Sequence, residues 1–103
     1  MLILGLGTNL GDGLSNLRSA LRLLQKSSTM TPLQISPIYT SAALLPAYAP
    51  MAWNRPYLNI AVACDTKLSP FDALSQIKQI EKQLGREENQ RWAPRVIDVD
   101  ILA

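Results

Sequence analysis

The stretch YLNIAVACDTKLSPFDALSQIKQIEKQLG, residues 57–85, changes its period partway along. From Tyr57 to Thr66 apolar positions alternate. Leu58, Ile60, Val62 and Cys64 share one face, and Tyr57, Asn59, Ala61 and Ala63 share the other, as in a strand with two different sides. From Ser69 the repeat becomes helical. Ser69 stands at the N-cap, Pro70 at the first helical position and the acid Asp72 at the third, a combination that starts helices. Phe71, Leu74, Ile77, Ile80 and Leu84 form the predicted apolar stripe, and Gly85 is the predicted C′ residue that ends it.

Working outward, Val96 to Leu102 alternates again, with Ile97, Val99 and Ile101 on one face and Val96, Asp98 and Asp100 on the other. Met1 to Leu6 is a nearly all-apolar run, read as a buried strand that breaks at Gly7. Leu14, Leu17, Leu21 and Leu24 recur at helical spacing and predict a helix over 13–26, capped by Asp12 or Ser15. Leu33, Ile35 and Tyr39 suggest a strand bent or ended near Pro37. The three prolines of residues 42–56 exclude a helix or central strand and predict a long loop. The order is β-α-β-β-α-β: an α+β, ferredoxin-like fold with a four-stranded antiparallel sheet and two helices on one face. Tyr57, Asn59, Asp98 and Asp100 then share the other face, side by side if their strands are neighbours.

The 103 residues suffice for a single domain, 1–103, with a modest core. Apolar residues make up 48% and charged residues 17%, which excludes disorder. A net charge of +2 gives no polyanion signature. Histidine is absent, so no imidazole serves as base or ligand. A single cysteine excludes an internal disulfide. No run reaches a membrane span, and the first residues do not read as a signal peptide. A cytoplasmic protein with no membrane partner is expected.

Asp98 and Asp100 lie on one side of a strand, their Cα atoms ~6.6 Å apart. Such a pair can hold Mg²⁺, singly or as two bridged ions, or can be two acids on a solvated face. Arg86, Arg91 and Arg95 lie close by in sequence. They can grip phosphate in forked geometry or pair with Glu87, Glu88 and the aspartates. Trp92 can stack a base or anchor its loop. Gly5-Leu6-Gly7-Thr8-Asn9-Leu10-Gly11 misses the dinucleotide fingerprint by one position and reads most plainly as a strand-to-helix turn. Tyr57 and Asn59 can stack and pair with a flat heterocycle, or simply pack. Cys64 reads as core, and Glu81 by default as a solvated surface acid.

Together these pieces resemble the 6-hydroxymethyl-7,8-dihydropterin pyrophosphokinase family. The resemblance rests on Gly5-Leu6-Gly7-Thr8-Asn9-Leu10-Gly11-Asp12 with Asn16-Leu17, on Ser36-Pro37-Ile38-Tyr39-Thr40-Ser41, on Tyr57-Leu58-Asn59, and on Ile80-Glu81 with Leu84-Gly85-Arg86. Its most specific part is Arg91-Trp92-Ala93-Pro94-Arg95-Val96-Ile97-Asp98-Val99-Asp100-Ile101. The resemblance implies an ATP-dependent diphosphotransferase of folate biosynthesis, with ATP as co-substrate and two Mg²⁺ ions held by Asp98 and Asp100. It implies Arg86, Arg91 and Arg95 facing the triphosphate, with Arg86 and Arg95 catalytic. Trp92, Glu81 and Ile101 would lie on the nucleotide side. Tyr57, Asn59, Ser41 and Leu44 would receive the pterin, and segments 42–56 and 86–95 would close over the substrates.

The partners implied are small molecules, with no nucleic acid. A nucleic-acid module of the same strand order would need exposed aromatics and a basic face, which one Phe and +2 do not supply. The family pattern extends beyond the D-x-D strand into a His-Pro segment, further arginines and an aromatic that closes on the pterin. Ala42-Ala43 replaces common prolines, and Glu88 a common basic residue. A monomer is the family expectation. The alternative is a truncated, inactive fragment that could dimerise through exposed apolar sheet surface.

Overall fold

A computed structural model describes residues 1–85 and 94–103. The elements are β1 (Leu2–Thr8), α1 (Gly13–Lys26), β2 (Met30–Ile35), β3 (Tyr39–Ser41), β4 (Tyr57–Thr66), α2 (Pro70–Gln83) and β5 (Asp98–Ile101). The predicted α+β class, two helices with an antiparallel sheet, is borne out, and the predicted second strand is split into β2 and β3. All strand pairs are antiparallel, in the order β2-β4-β1-β5, with β3 also on β4. The sheet therefore counts five strands rather than four. β2 pairs with residues 62–66 of β4 and β3 with residues 57–59, so the two strands share one edge of β4. Pro37 interrupts that edge, because proline has no N–H for a ladder. Ser36 bridges the break: its backbone N–H donates to the Ala61 carbonyl at 2.9 Å, and its Oγ accepts from the Ala61 N–H at 2.8 Å.

Both helices begin where the sequence predicts. Asp12 caps α1 by accepting from the Ser15 N–H at 3.2 Å, and Ser69 caps α2 by accepting from the Asp72 N–H at 3.2 Å. Gly85, at φ +87°, follows the end of α2 in the left-handed region that glycine enters at no steric cost. The core joins Leu2, Leu4 and Leu6 of β1, Ile60, Val62 and Cys64 of β4, and Ile97 and Val99 to Leu17, Ala20 and Leu24 of α1 and Ala73, Ile77 and Ile80 of α2. Cys64 is core, as expected.

Several local expectations are corrected. β1 does not break at Gly7 but runs on to Thr8, so Gly5 and Gly7 are strand residues rather than part of a turn. β5 is shorter than 96–102. Residues 42–56 contain a short 3₁₀ turn, Met51–Trp53, inside the loop; prolines flank it without entering it. The buried stripe of α2 is Ala73, Ile77, Ile80 and Glu81, whereas Phe71 is 78% exposed and Leu74 43%. Ile77, Ile80 and the partly buried Leu84 keep the predicted stripe, while α2, packed on β5 and α1, turns Ala73 and Glu81 in and Phe71 out. Leu14 of α1 is likewise exposed. Among the described residues no helix is long and apolar enough to cross a membrane.

Candidate active site

The face of the sheet away from the helices carries a cavity of about 440 Å³. One wall comes from β4 and β3: Tyr57, Asn59, Tyr39 and Ser41, continued by Ala42, Ala43 and Leu44. The other comes from β5 and its approach: Arg95, Asp98, Asp100 and Leu102. The floor is Gly5 and Gly7 of β1.

The two walls are not on neighbouring strands, because β1 runs between them. In register, Gly7 faces Asn59 on one side and Asp98 on the other, and Gly5 faces Ala61 and Asp100. Two strand spacings separate β4 from β5, roughly 10 Å. That gap stays open because the intervening residues have no side chains. A Cβ on Gly7 would lie 3.1 Å from Asn59 Oδ1 and 3.3 Å from Tyr57 Cδ1, and one on Gly5 would lie 3.2 Å from Leu102 Cδ1. The glycines were the part of the site that sequence reading missed. Their signal is their period: Gly5 and Gly7 alternate with the core residues Leu4 and Leu6, so beyond Ile3 that face of β1 carries no side chains.

The β4 wall is internally braced. Asn59 Nδ2 donates to Ser41 Oγ at 2.9 Å and lies 3.4 Å from the Tyr39 carbonyl. This turns Asn59 Oδ1, a hydrogen-bond acceptor, over Gly7 and beside the Tyr57 ring. A flat heterocycle entering here would meet an aromatic surface and a directed amide oxygen.

On the β5 wall, Asp98 and Asp100 point to the same side, as period two requires, and both reach the cavity with Arg95. Their donors are hard carboxylate oxygens on a strand face whose neighbours, Gly5 and Gly7, add no bulk. Among the described residues no third acid, cysteine or histidine joins them into a cluster that would hold a metal alone. The pair therefore suits a cation such as Mg²⁺, which takes one or two carboxylates and completes its shell with water and phosphate oxygens.

Other predicted residues lie elsewhere. Ile101 packs against the core, and neither it nor Glu81 lines the cavity. Glu81 is no solvated acid: at 2% exposure it sits under the sheet, its Oε2 accepting from the Val99 N–H at 3.2 Å and its Oε1 paired with Lys78 Nζ at 3.1 Å. The rotation of α2 that leaves Leu74 half out turns Glu81 in. Its bonded partner is the residue between the two aspartates, so it supports β5 from behind. Arg86, Arg91 and Trp92 lie outside the described residues.

The chain is similar in sequence to known proteins. The folate synthesis bifunctional protein of Chlamydia caviae is 44% identical over 100 residues, which is 96% of this chain and 22% of that protein. The 2-amino-4-hydroxy-6-hydroxymethyldihydropteridine pyrophosphokinase of Bacillus subtilis is 39% identical over 96% of this chain and 56% of its own length. The enzyme of the same name from Pseudomonas putida is 37% identical over 95% of this chain and 77% of its own length. The chain thus spans between about a fifth and three quarters of these relatives. The sequence model of the 7,8-dihydro-6-hydroxymethylpterin-pyrophosphokinase family matches residues 3–103, which takes in the glycine floor, both cavity walls and all the described helices and strands but for Leu2 of β1, and the chain belongs to that family.

Proposed function

We propose that this chain transfers a pyrophosphoryl group from ATP to the hydroxymethyl group of 6-hydroxymethyl-7,8-dihydropterin, releasing AMP. The observation that carries the reading is that a single cavity places an aromatic-plus-amide wall opposite an arginine-plus-dicarboxylate wall across a floor of glycine. The first suits a flat, hydrogen-bonding ring and the second a metal-complexed polyphosphate.

In this reading Tyr57 lies against the pterin ring. Asn59 Oδ1 accepts from the ring's N–H edge, and Ser41 holds the Asn59 amide in place while Leu44 lines the pocket with it. The substrate hydroxymethyl oxygen then points across Gly7 towards the β5 wall. That oxygen attacks the β-phosphorus of ATP, the bond from this phosphorus to the oxygen of the α-phosphate breaks, and AMP leaves with the bridging oxygen. The hydroxyl proton passes to solvent or a phosphate oxygen. Transfers of this kind ask mainly for in-line placement and neutralised charge, so a chain without histidine is equipped for the step. Arg95 faces the phosphates and offsets charge that grows on them. Asp98 and Asp100 would hold two Mg²⁺ ions. When bound, these supply positive charge to the phosphate oxygens and align them. Arg86, Arg91 and Trp92 complete the nucleotide side, and the loop 42–56 closes over the pterin, excluding water that would otherwise hydrolyse ATP. Glu81 acts through β5, and Ile101 anchors that strand in the core. A reducing compartment such as the cytoplasm, which keeps thiols reduced, suits a chain whose single cysteine, Cys64, is free.

The test is AMP formation from ATP, Mg²⁺ and the pterin, with calorimetry using a non-hydrolysable ATP analogue alongside. AMP appearing in step with pterin consumption is expected. Absence of both AMP and pterin binding would overturn the proposal.

A further inference from the structure

We propose that Asn9 is a positioning residue that sets the separation of the two cavity walls through both ends of its side-chain amide. The inference rests on the reading of the cavity given above.

Asn9 directly follows β1 and is 8% exposed. On one side its backbone N–H donates to the Arg95 carbonyl at 3.0 Å, and its Oδ1 accepts from the Arg95 N–H at 2.8 Å. On the other its Nδ2 donates to the Arg55 carbonyl at 3.0 Å. These partners dictate the amide's orientation, because a backbone N–H only donates and a carbonyl only accepts. Arg55 is the last residue but one before Tyr57, and Arg95 leads into Asp98. One amide therefore ties the chain entering β4 to the chain entering β5.

The position explains why a side chain is needed. β1 is bonded to both strands as far as Thr8 opposite Leu58 and Gly7 opposite Asp98. Beyond that point both ladders end, and Asn9 extends them in both directions at once. Asn16 of α1 braces the same turn, its Nδ2 donating to the Leu10 carbonyl at 2.8 Å and to Thr8 Oγ1 at 3.1 Å. Without the amide, the approach to β4 would lose its tie to Asn9, and the approach to β5 would keep only the bond from the Asn9 backbone N–H. Displacements of about 1 Å in a reacting pair cost large factors in rate.

Two substitutions separate the arms. Asn9→Asp keeps the acceptor for Arg95 but sets a carboxylate oxygen against the Arg55 carbonyl. Asn9→Ala removes both bonds. Wild type and both variants are compared by AMP formation, with KM measured for the pterin and for ATP, and by amide hydrogen exchange at Arg95. Asn9→Asp is expected to raise the pterin KM about tenfold, leave the ATP KM near that of wild type and keep the Arg95 amide protected. Asn9→Ala is expected to raise both KM values and to expose the Arg95 amide. Lower Tm with both KM values unchanged would show a merely structural residue and overturn the inference. If Asn9→Ala fails to fold, Asn9→Asp decides alone, and an unchanged pterin KM overturns it. Wild type that makes no AMP would sink the transfer reading instead. Calorimetric affinities for the pterin and a non-hydrolysable ATP analogue then replace the KM values, with the same outcomes for or against Asn9, and wild type binding neither ligand would overturn both.

Discussion

Gly7 stands where a side chain would push into the aromatic-plus-amide wall of the cavity. A methyl there would lie 3.1 Å from Asn59 Oδ1 and 3.3 Å from the Tyr57 ring, and the strand backbone around it is not in a left-handed conformation. Gly7→Ala should therefore fold normally yet weaken pterin binding several-fold, about 1 kcal/mol; calorimetry giving wild-type affinity would remove Gly7 from the floor. Across the floor, Asp98→Ala or Asp100→Ala should lower AMP production about 10²-fold or more with an unchanged circular dichroism spectrum. Undiminished turnover would end the metal role. On the facing wall, Asn59→Ala should raise the pterin KM more than the ATP KM, and the reverse pattern would assign Asn59 to the nucleotide. The faces of Asn59, Asp98 and Asp100 were legible from spacing alone, and that of Gly7 was not. The pairing of Asn59 with Ser41 was not, because Ser41 is brought beside β4 by β3, a three-residue strand too short to announce itself.

At the scale of elements, α2 does more than cover the sheet. Its buried Glu81 accepts from the Val99 N–H at 3.2 Å, so the helix holds the strand that presents Asp98 and Asp100 on the opposite face. Glu81→Ala would leave a buried N–H without that acceptor and should destabilise the fold by about 2 kcal/mol, read from urea denaturation; stability equal to wild type would show that the bond contributes nothing. The start of α2 was readable because capping is local: Ser69, Pro70 and Asp72 lie within four residues. Its rotation was not. A stripe through Phe71, Leu74, Ile77, Ile80 and Leu84 and one through Ala73, Ile77, Ile80 and Glu81 are both helical patterns that share Ile77 and Ile80, and only packing against the rest of the molecule decides between them, leaving Phe71 outside and bringing Glu81 in.

The whole molecule divides its sheet between two tasks, one face dry against the helices and the other open for ligands. Cys64 reports on the dry face. Fully buried among Met30, Val62 and their neighbours, its thiol is pushed above its ordinary pKa by burial. The folded chain thus keeps this proton at pH values where the unfolded chain has begun to lose it. The resulting stability is complete below the ordinary thiol range and declines as pH rises through that range towards the raised folded value. A thiol reagent at pH 8 should accordingly label Cys64 only as the chain unfolds, and rapid stoichiometric labelling in native buffer would contradict that burial.

The sequence by itself determined the order of elements apart from the split of the second strand into β2 and β3, both helix starts, the faces of β4 and β5 and the family, since caps, periods and contiguous motifs are local properties of the chain. Only the tertiary structure decided which strands are neighbours. Backbone ladders between distant segments leave no trace in residue type, so nothing in residues 57–59 and 98–100 revealed that β1 would lie between them. That insertion turns two glycines into a floor, holds the two walls about two strand spacings apart, and leaves the space that the proposed reaction needs for a ring and a phosphate chain.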